Sequence, residues 1–464
     1  MKLGTKKNPL RVAIVGAGPT GFYTAEHLFK RKELTVEVDM FDRLPTPFGL
    51  VRGGVAPDHQ KIKSVTKAFT RTAIRDDFRF YGNVEIGKDI KISQLRNYYH
   101  QIIYTTGAQS DRSLGIPGED LQGSHSATEF VAWYNGHPDY RNCEFDLSQE
   151  RVAVIGVGNV AMDVARILCR TPEALATTDI ADYALEALSH SKVKEVYVLG
   201  RRGPAQAAFT PPEIKELGEM TDADITVPLD EANLDPLSQK MLEEAPSRAT
   251  SKKMEIIQSY AGREATKSRQ IILRFLVSPV ELIGDETGRV TTMRVVKNKL
   301  EATETGYLRA QATNWYEDID VGLVFRSVGY RGVPLPEVPF NDKRGTILNE
   351  RGRVLDPDTR EPIIGEYTAG WIKRGPSGVI GTNKPDALET VNCMMEDLEQ
   401  GIHLNPREPN RCEAQAMIHQ NQPSFVSYAN WDYLDSLEVS RGQALGRPRL
   451  KFTRVEDMLQ ALAS

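Results

Sequence analysis

The chain has 464 residues, more than one ordinary hydrophobic core organises, so two domains are expected. At 40% hydrophobic and 26% charged it has the make-up of a folded globular protein, not of a disordered or membrane chain. A net charge of −5 argues against general nucleic-acid binding, and no apolar run reaches the roughly 20 residues that a membrane helix needs. The basic residues 1–7 lack the apolar core of a secretory signal, so a cytoplasmic protein is expected, with a processed organellar enzyme as the alternative. The four cysteines, Cys143, Cys169, Cys393 and Cys412, are scattered with no C-x-x-C pair, which argues against a redox disulfide, an iron–sulfur cluster or a structural zinc within the chain.

In chain order, residues 11–15 (RVAIV) are a short β-branched run that predicts a buried parallel strand. The run enters Gly16-Ala17-Gly18-Pro19-Thr20-Gly21 and then residues 22–30, whose apolar spacing is helical. A lone G-x-G-x-x-G says little, whereas one flanked by strand and helix is a dinucleotide fingerprint. Gly16 permits the tight turn, Gly18 lets a pyrophosphate approach the backbone, and Gly21 lets helix and strand close up. The helix N-terminus then offers its N–H groups to phosphate. The next strand, residues 35–41, ends at Asp42, where a carboxylate accepts hydrogen bonds from an adenosine ribose and repels a 2′-phosphate. The plainer alternative is a surface acid at a strand end. A site of this kind suits FAD or NAD. Residues 43–59 are rich in Gly and Pro yet still apolar, which predicts a shaped loop, not a helix, running along an extended FAD.

Residues 102–108 (IIYTTGA) read as a strand ending in small residues, where the chain leaves the first domain. The fingerprint returns where residues 151–155 (RVAVI) meet Gly156-Val157-Gly158-Asn159-Val160-Ala161-Met162-Asp163, with a helix after it. Residues 171–194 have helical spacing and form an insertion before the strand at 195–199. That strand ends in Gly200-Arg201-Arg202-Gly203 and not in an acid. Two guanidinium groups at the ribose position take a 2′-phosphate in bidentate fashion, against the plainer reading of a solvated charge pair. The first site is therefore read as FAD and the second as NADP(H).

Residues 217–267 are polar, helical in pattern and free of cofactor motifs. Arg248, Lys252, Lys253, Arg263, Lys267 and Arg269 form the densest basic stretch outside those motifs. An acidic partner would be steered to such a patch, although a charge run is also simply what a solvated face looks like. Residues 321–330 read as the strand that carries the chain back. The expected fold is α/β, with two Rossmann-like dinucleotide-binding domains of parallel sheet and flanking helices. An FAD domain over 1–108 and 331–464, with a C-terminal tail, receives an inserted NADP domain over 109–330.

Several long stretches resemble the adrenodoxin reductase family, including its mycobacterial-type NADPH–ferredoxin reductases. They include Pro47-Phe48-Gly49-Leu50-Val51-Arg52, Val55-Ala56-Pro57-Asp58-His59, residues 80–84 (FYGNV), Arg201-Arg202-Gly203-Pro204 and residues 370–383 (GWIKRGPSGVIGTN). The likeness spans nearly the whole chain. It implies an FAD-dependent oxidoreductase that passes electrons from NADPH to a ferredoxin-type iron–sulfur protein. The FAD contacts it implies are Ala17, Asp42, Leu50, Val84, Trp371, Gly378, Val379 and Ile380. Those implied for NADP are Arg112, Val157, Gly158, Asn159, Val160, Arg201, Arg202, Glu213 and Gly378.

His59 and Asp163 match family positions near the flavin and the nicotinamide. His59 is read either as a proton relay to reduced flavin or as a hydrogen-bonding partner of its own loop. Asp163 is read as its companion or as a structural acid. Two departures from pattern stand out: Asp42 where the family is expected to carry Glu, and Trp371 where other two-dinucleotide flavoproteins carry Asp. Hydride transfer between stacked rings needs no acid or base, so no catalytic dyad is required. An FAD- and NADPH-dependent monooxygenase or diaphorase is the alternative. A glutamate-synthase-like subunit would want a cysteine-rich cluster domain, and a flavin-binding redox sensor would have no use for two sites of different ribose chemistry.

Overall fold

Each of the two β-branched runs, Leu10–Val15 and Arg151–Ile155, pairs in parallel with the strands on both sides of it. The computed structural model describes residues 2–463 and divides into two units. The first comprises Met1–Val55, His59–Ser110 and Gly329–Ser464, and the second Ala56–Asp58 and Asp111–Val328.

The first unit is built on a seven-stranded sheet. Strand Leu10–Val15 is buried along its whole length and lies between Gln101–Tyr104 and Val36–Phe41, both parallel to it, with Phe78–Tyr81 beyond. Strand Pro362–Thr368, from the last third of the chain, pairs in parallel with Gln101–Tyr104. Helix Pro19–Phe29 leads from the first strand towards the second, the βαβ arrangement that the glycine motif required.

One charge breaks the apolar run of the first strand. Arg11 is 1% exposed and must therefore be paired. Its Nη2 lies 3.1 Å from Asp39 Oδ2, Arg79 Nη2 lies 2.6 Å from the same oxygen, and the Tyr99 hydroxyl donates to it at 2.7 Å. This cluster joins the first three strands of the chain at their polar positions.

The second unit holds a six-stranded sheet, parallel throughout, in the order Ser124–Ser126, Leu323–Arg326, Arg151–Ile155, Glu195–Gly200, Gln270–Phe275, Asp224–Thr226. A separate three-stranded antiparallel sheet follows, formed by Val277–Gly284, Val290–Ala302 and Leu308–Asp320.

Three details differ from expectation. Residues 43–59 are not all loop, because Leu50–Gly53 forms a helical turn. No proline interrupts residues 48–56, so Val51 and Arg52 N–H are free to close on the carbonyls of Phe48 and Gly49. Within residues 217–267, Asp224–Thr226 adds an outer strand, too short for its alternation to be legible, and helices Pro236–Glu244 and Arg248–Ser259 follow. The returning strand Leu323–Arg326 belongs to the second unit's sheet, and the chain re-enters the first unit at Gly329. There Arg331 O accepts from Gln109 N–H at 3.2 Å and Ser110 Oγ at 3.0 Å, so the departing and returning segments are hydrogen-bonded side by side.

His100, just before a central strand, is 5% exposed, and its Nδ1 accepts the Arg11 N–H at 3.0 Å. Burial, with His403 and Arg11 adding to it, pushes its pKa down from 6.5 to about 4. The unfolded chain takes up this proton near 6.5 and the folded chain does not, so this contribution to stability is complete above pH 6.5. It is lost as the pH falls through the window to about 4, at about 1.4 kcal/mol per pH unit. His27 and His125, also lowered by burial, act with the same sign. Replacing His100 with Asn should flatten the acid-side decline of stability seen by thermal denaturation. An unchanged slope would refute the assignment.

Candidate functional site

In the first unit the fingerprint turn is dictated by clearance. Gly16 has φ +108°, and a Cβ there would lie 2.6 Å from Thr105 O, a contact no side chain tolerates. At Gly18 the situation reverses, because a Cβ would meet nothing within 4 Å. The same glycine precedes helix Pro19–Phe29, and among the described residues no side chain caps its first N–H groups. An uncapped helix start beside open backbone is a fit for an anionic pyrophosphate.

The loop after the second strand is laid against this turn. Phe48 N–H donates to Ala17 O at 2.8 Å, and Gly49 stands close enough to Gly18 that a Cβ would come within 3.1 Å of its Cα. Phe48 adopts φ +83°, a strained conformation for an aromatic residue, and its ring packs among Phe22, Phe69 and Trp431. Leu50 starts the helical turn that follows. Arg52 is gripped by Glu438, with Nη1 to Oε2 at 2.8 Å, while its guanidinium lies over Trp431. Burial would raise the Glu438 carboxyl, but Arg52 and Arg449 outweigh it and its pKa is lowered.

Asp42 is more engaged than its strand-end position suggests. Its Oδ2 accepts the Ala17 N–H at 2.9 Å and its Oδ1 the Leu44 N–H at 3.0 Å, so both oxygens already bind backbone. Burial raises its pKa, partly offset by these two bonds. Val84, 1% exposed, donates its N–H to Asp42 O at 2.9 Å. On the far side of the sheet order, Gly370 at φ +80° leads into the short helix Trp371–Arg374, and Asp386 accepts the Gly370 N–H. Trp371 donates Nε1–H to Ser377 O at 3.1 Å and stacks on Tyr330 at 5.4 Å between ring centres. Arg374 Nη2 donates to Ser377 O, Thr382 Oγ1 and Asn383 Oδ1, fixing a turn that leaves Gly378 and Val379 exposed, with Ile380 half-buried. His59 is half-buried and precedes the helical turn Gln60–Lys63.

The second unit repeats the first. Gly156 has φ +133°, and a Cβ there would lie 2.1 Å from Ser327 O; Gly158 again faces nothing within 4 Å and precedes the uncapped helix Asn159–Cys169. Val157 O accepts N–H from both Ala208 and Phe209, and Asn159 Oδ1 accepts the Thr210 N–H at 3.0 Å. These bonds bring helix Pro211–Gly218, with Glu213 in its first turn, to the glycine turn. Val160 is half-buried in the helix's first turn. Arg201 is exposed, Arg202 half-buried, and Arg112 exposed after Asp111.

Sequence reasoning missed Arg166. It is completely buried, with Nε 2.8 Å and Nη2 3.0 Å from the two oxygens of Asp58, and Nη2 2.8 Å from Asp163 Oδ1. Glu213 and Glu216 lie 3.9 and 3.8 Å away. Burial would lower its pKa, but these acids raise it well above the ordinary value. The signal was an arginine set among Ala165, Ile167 and Leu168 on a buried helix. Glu438, fully buried in the C-terminal region, was missed for the same kind of reason.

The basic stretch does not form one free face. Lys253 is buried and donates to Ala207 O, Arg269 donates to Arg170 O at 2.6 Å, and Lys267 donates to Met220 O at 2.6 Å. Arg248, Lys252 and Arg263 are exposed, as is Lys267, and of these Arg263 Nε donates to Ser259 O at 2.6 Å while Lys252 pairs with Glu255 at 3.1 Å. Among the described residues all four cysteines are free thiols, and no helix is long and apolar enough to cross a membrane.

A family model described as pyridine nucleotide-disulphide oxidoreductase matches residues 10–359. The chain is 43% identical to the NADPH-ferredoxin reductase FprA of Mycobacterium tuberculosis, across 97% of this chain and 99% of that protein. It is 41% identical to the mitochondrial NADPH:adrenodoxin oxidoreductase of Homo sapiens, across 99% of this chain and 93% of that one. Among solved structures, Mycobacterium tuberculosis FprA in complex with NADPH superposes with a TM-score of 0.93 at 42% identity, covering 98% of this chain and 100% of that one.

Substituting Arg166 with Met would leave Asp58 and Asp163 without the buried cation that now binds both. The expected cost is about 3–5 kcal/mol, measured by chemical denaturation. A loss under about 1 kcal/mol would put this cluster in the class of weak surface pairs.

Proposed function

Because the chain belongs to the pyridine nucleotide-disulphide oxidoreductase family, we propose that its two fingerprint turns serve the reaction its nearly full-length relatives are named for. The protein is an FAD-dependent NADPH–ferredoxin oxidoreductase of adrenodoxin reductase type. The observation that carries this is the pairing of two uncapped glycine turns with opposite strand-end chemistry, a carboxylate at Asp42 and a guanidinium pair at Arg201 and Arg202.

We read the first unit as the FAD domain and the second as the inserted NADP domain. In the first, Gly16, Ala17, Gly18 and Gly21 shape the turn that receives the flavin pyrophosphate. Asp42 keeps lone pairs for the ribose beyond the two backbone bonds it already accepts. Leu50, Val84, Trp371, Gly378, Val379 and Ile380 line the rest. Bound FAD supplies the conversion between the two-electron chemistry of a nicotinamide and the one-electron chemistry of an iron–sulfur protein. In the second unit, Val157, Gly158, Asn159 and Val160 receive the NADP pyrophosphate, Arg201 and Arg202 the 2′-phosphate, and Arg112 and Glu213 the remainder. His59 exchanges the proton that accompanies flavin reduction, since imidazole suits that role near neutral pH. Asp163 is paired with Arg166. A cytoplasmic location belongs to this reading, and four free thiols suit a reducing compartment.

The purified protein should carry a flavin spectrum and reduce cytochrome c with NADPH far better than with NADH, in a ferredoxin-dependent manner. Equal rates with NADH would overturn the role of Arg201 and Arg202. A flavoprotein to which ferredoxin adds nothing would be a diaphorase or monooxygenase instead.

For the acidic partner, we assign the steering charges to Arg248, Lys252 and Arg263, three exposed members of the basic stretch. Raising ionic strength from roughly 0.01 to 0.1 M shortens the screening length from about 30 to about 10 Å and should raise the KM for ferredoxin. Neutralising all three residues should remove most of that salt dependence, and a triple variant with the wild-type dependence would refute the assignment.

A further inference from the structure

The turn that carries Arg201 and Arg202 is held from a part of the chain about a hundred residues away. Asn298, 6% exposed on strand Val290–Ala302, donates Nδ2–H to Arg201 O at 2.8 Å and to Ser278 Oγ at 2.8 Å. Leu276 N–H donates to Arg202 O at 3.1 Å. Arg201 O is thus held from the three-stranded sheet, and Arg202 O from the residue that immediately precedes it.

The same sheet supplies a side chain. Arg202 Nη1 donates to the Tyr307 hydroxyl at 2.8 Å, and its guanidinium carbon lies 5.2 Å from the centre of the tyrosine ring. Tyr307 sits at the turn between strands Val290–Ala302 and Leu308–Asp320, where its N–H donates to Thr303 Oγ1 at 3.1 Å and its carbonyl accepts the Thr303 N–H at 2.9 Å. The ring is 53% exposed, so it contributes little to any core. A buried tyrosine is explained by packing, whereas an exposed one aimed at a ligand-reading arginine is not.

We propose that Tyr307 is a third member of the site that reads the 2′-phosphate, holding Arg202 in place and donating a hydrogen bond from its own hydroxyl to a phosphate oxygen. This rests on the reading that Arg201 and Arg202 receive that phosphate. The donor count supports it. A hydroxyl that accepts from Nη1 still has one proton to donate. Among the described residues, Nη2 and Nε of Arg202 donate to no protein atom. With Arg201, which is exposed, these donors face a group with three strong acceptor oxygens and a charge near −2. Buried Lys253 adds to the positive field, being near enough for Arg202 to lower its pKa in addition to the effect of burial. A guanidinium already fixed by a neighbour also loses less freedom on binding.

The test is titration calorimetry with adenosine 2′,5′-bisphosphate and with adenosine 5′-monophosphate, beside steady-state kinetics with NADPH and NADH, on the holoenzyme and its Y307F and R202A variants. Removing the hydroxyl should weaken the bisphosphate about five- to ten-fold and leave the monophosphate alone. The KM for NADPH should rise by the same factor with kcat unchanged, and the NADH constants should hold. Y307A should weaken the bisphosphate further, because the ring beneath the guanidinium goes too. If Y307F binds the bisphosphate like the wild type, or shifts NADPH and NADH together, Tyr307 is not part of the site. If R202A abolishes the NADPH preference while Y307F does nothing, this inference alone fails. If R202A also leaves the preference intact, the reading of the arginine pair falls, and this one with it.

Discussion

Gly16 and Gly156 each carry a positive φ, and a Cβ at either would stand 2.6 or 2.1 Å from a carbonyl oxygen of the strand beside it. The close approach of backbone to backbone at those two points turns each strand into its helix with no side chain between them. Two residues on, Gly18 and Gly158 leave the same backbone open, before helices whose first N–H groups have no side-chain cap. On the proposed reading a pyrophosphate would meet neutral dipoles there and not lysines, which is compatible with a chain whose net charge is −5.

What separates the two sites is the fate of the charge at the next strand end. Asp42 turns inward and ties the glycine turn to the loop by accepting from Ala17 and Leu44. An aspartate is short enough to reach both amides. Arg201 and Arg202 instead have their carbonyls bound by Asn298 of the three-stranded sheet and by Leu276 just before it, and Arg202 Nη1 donates to the Tyr307 hydroxyl. The three-stranded sheet therefore helps to fix the backbone of the turn that carries both arginines.

The Gly- and Pro-rich loop is held by buried ion pairs of its own. Arg52 is gripped by Glu438 within the first unit, and Asp58 by Arg166 within the second. Such pairs add little over apolar packing, but each is costly to break and each fixes an orientation. The strained Phe48 precedes them in an aromatic cluster, so the shape of this part of the loop comes from its surroundings and not from local preference.

The glycine turns, their order along the chain and the difference between Asp42 and Arg201–Arg202 were legible from sequence alone. Turn geometry depends on residues a few positions apart, and clearance at a glycine is a local matter. The state of each polar side chain was not legible. Lys253 and Arg248 look alike in a basic run, yet one is buried against a carbonyl and the other is exposed. Arg166 meets Asp58 across 108 residues, Arg202 meets Tyr307 across 105, and Arg52 meets Glu438 across 386. Sheet order and helix packing decide which charges come together over such distances. The sequence by itself determined which dinucleotides the chain is built to hold; only the tertiary structure decided which side chains are free to touch them.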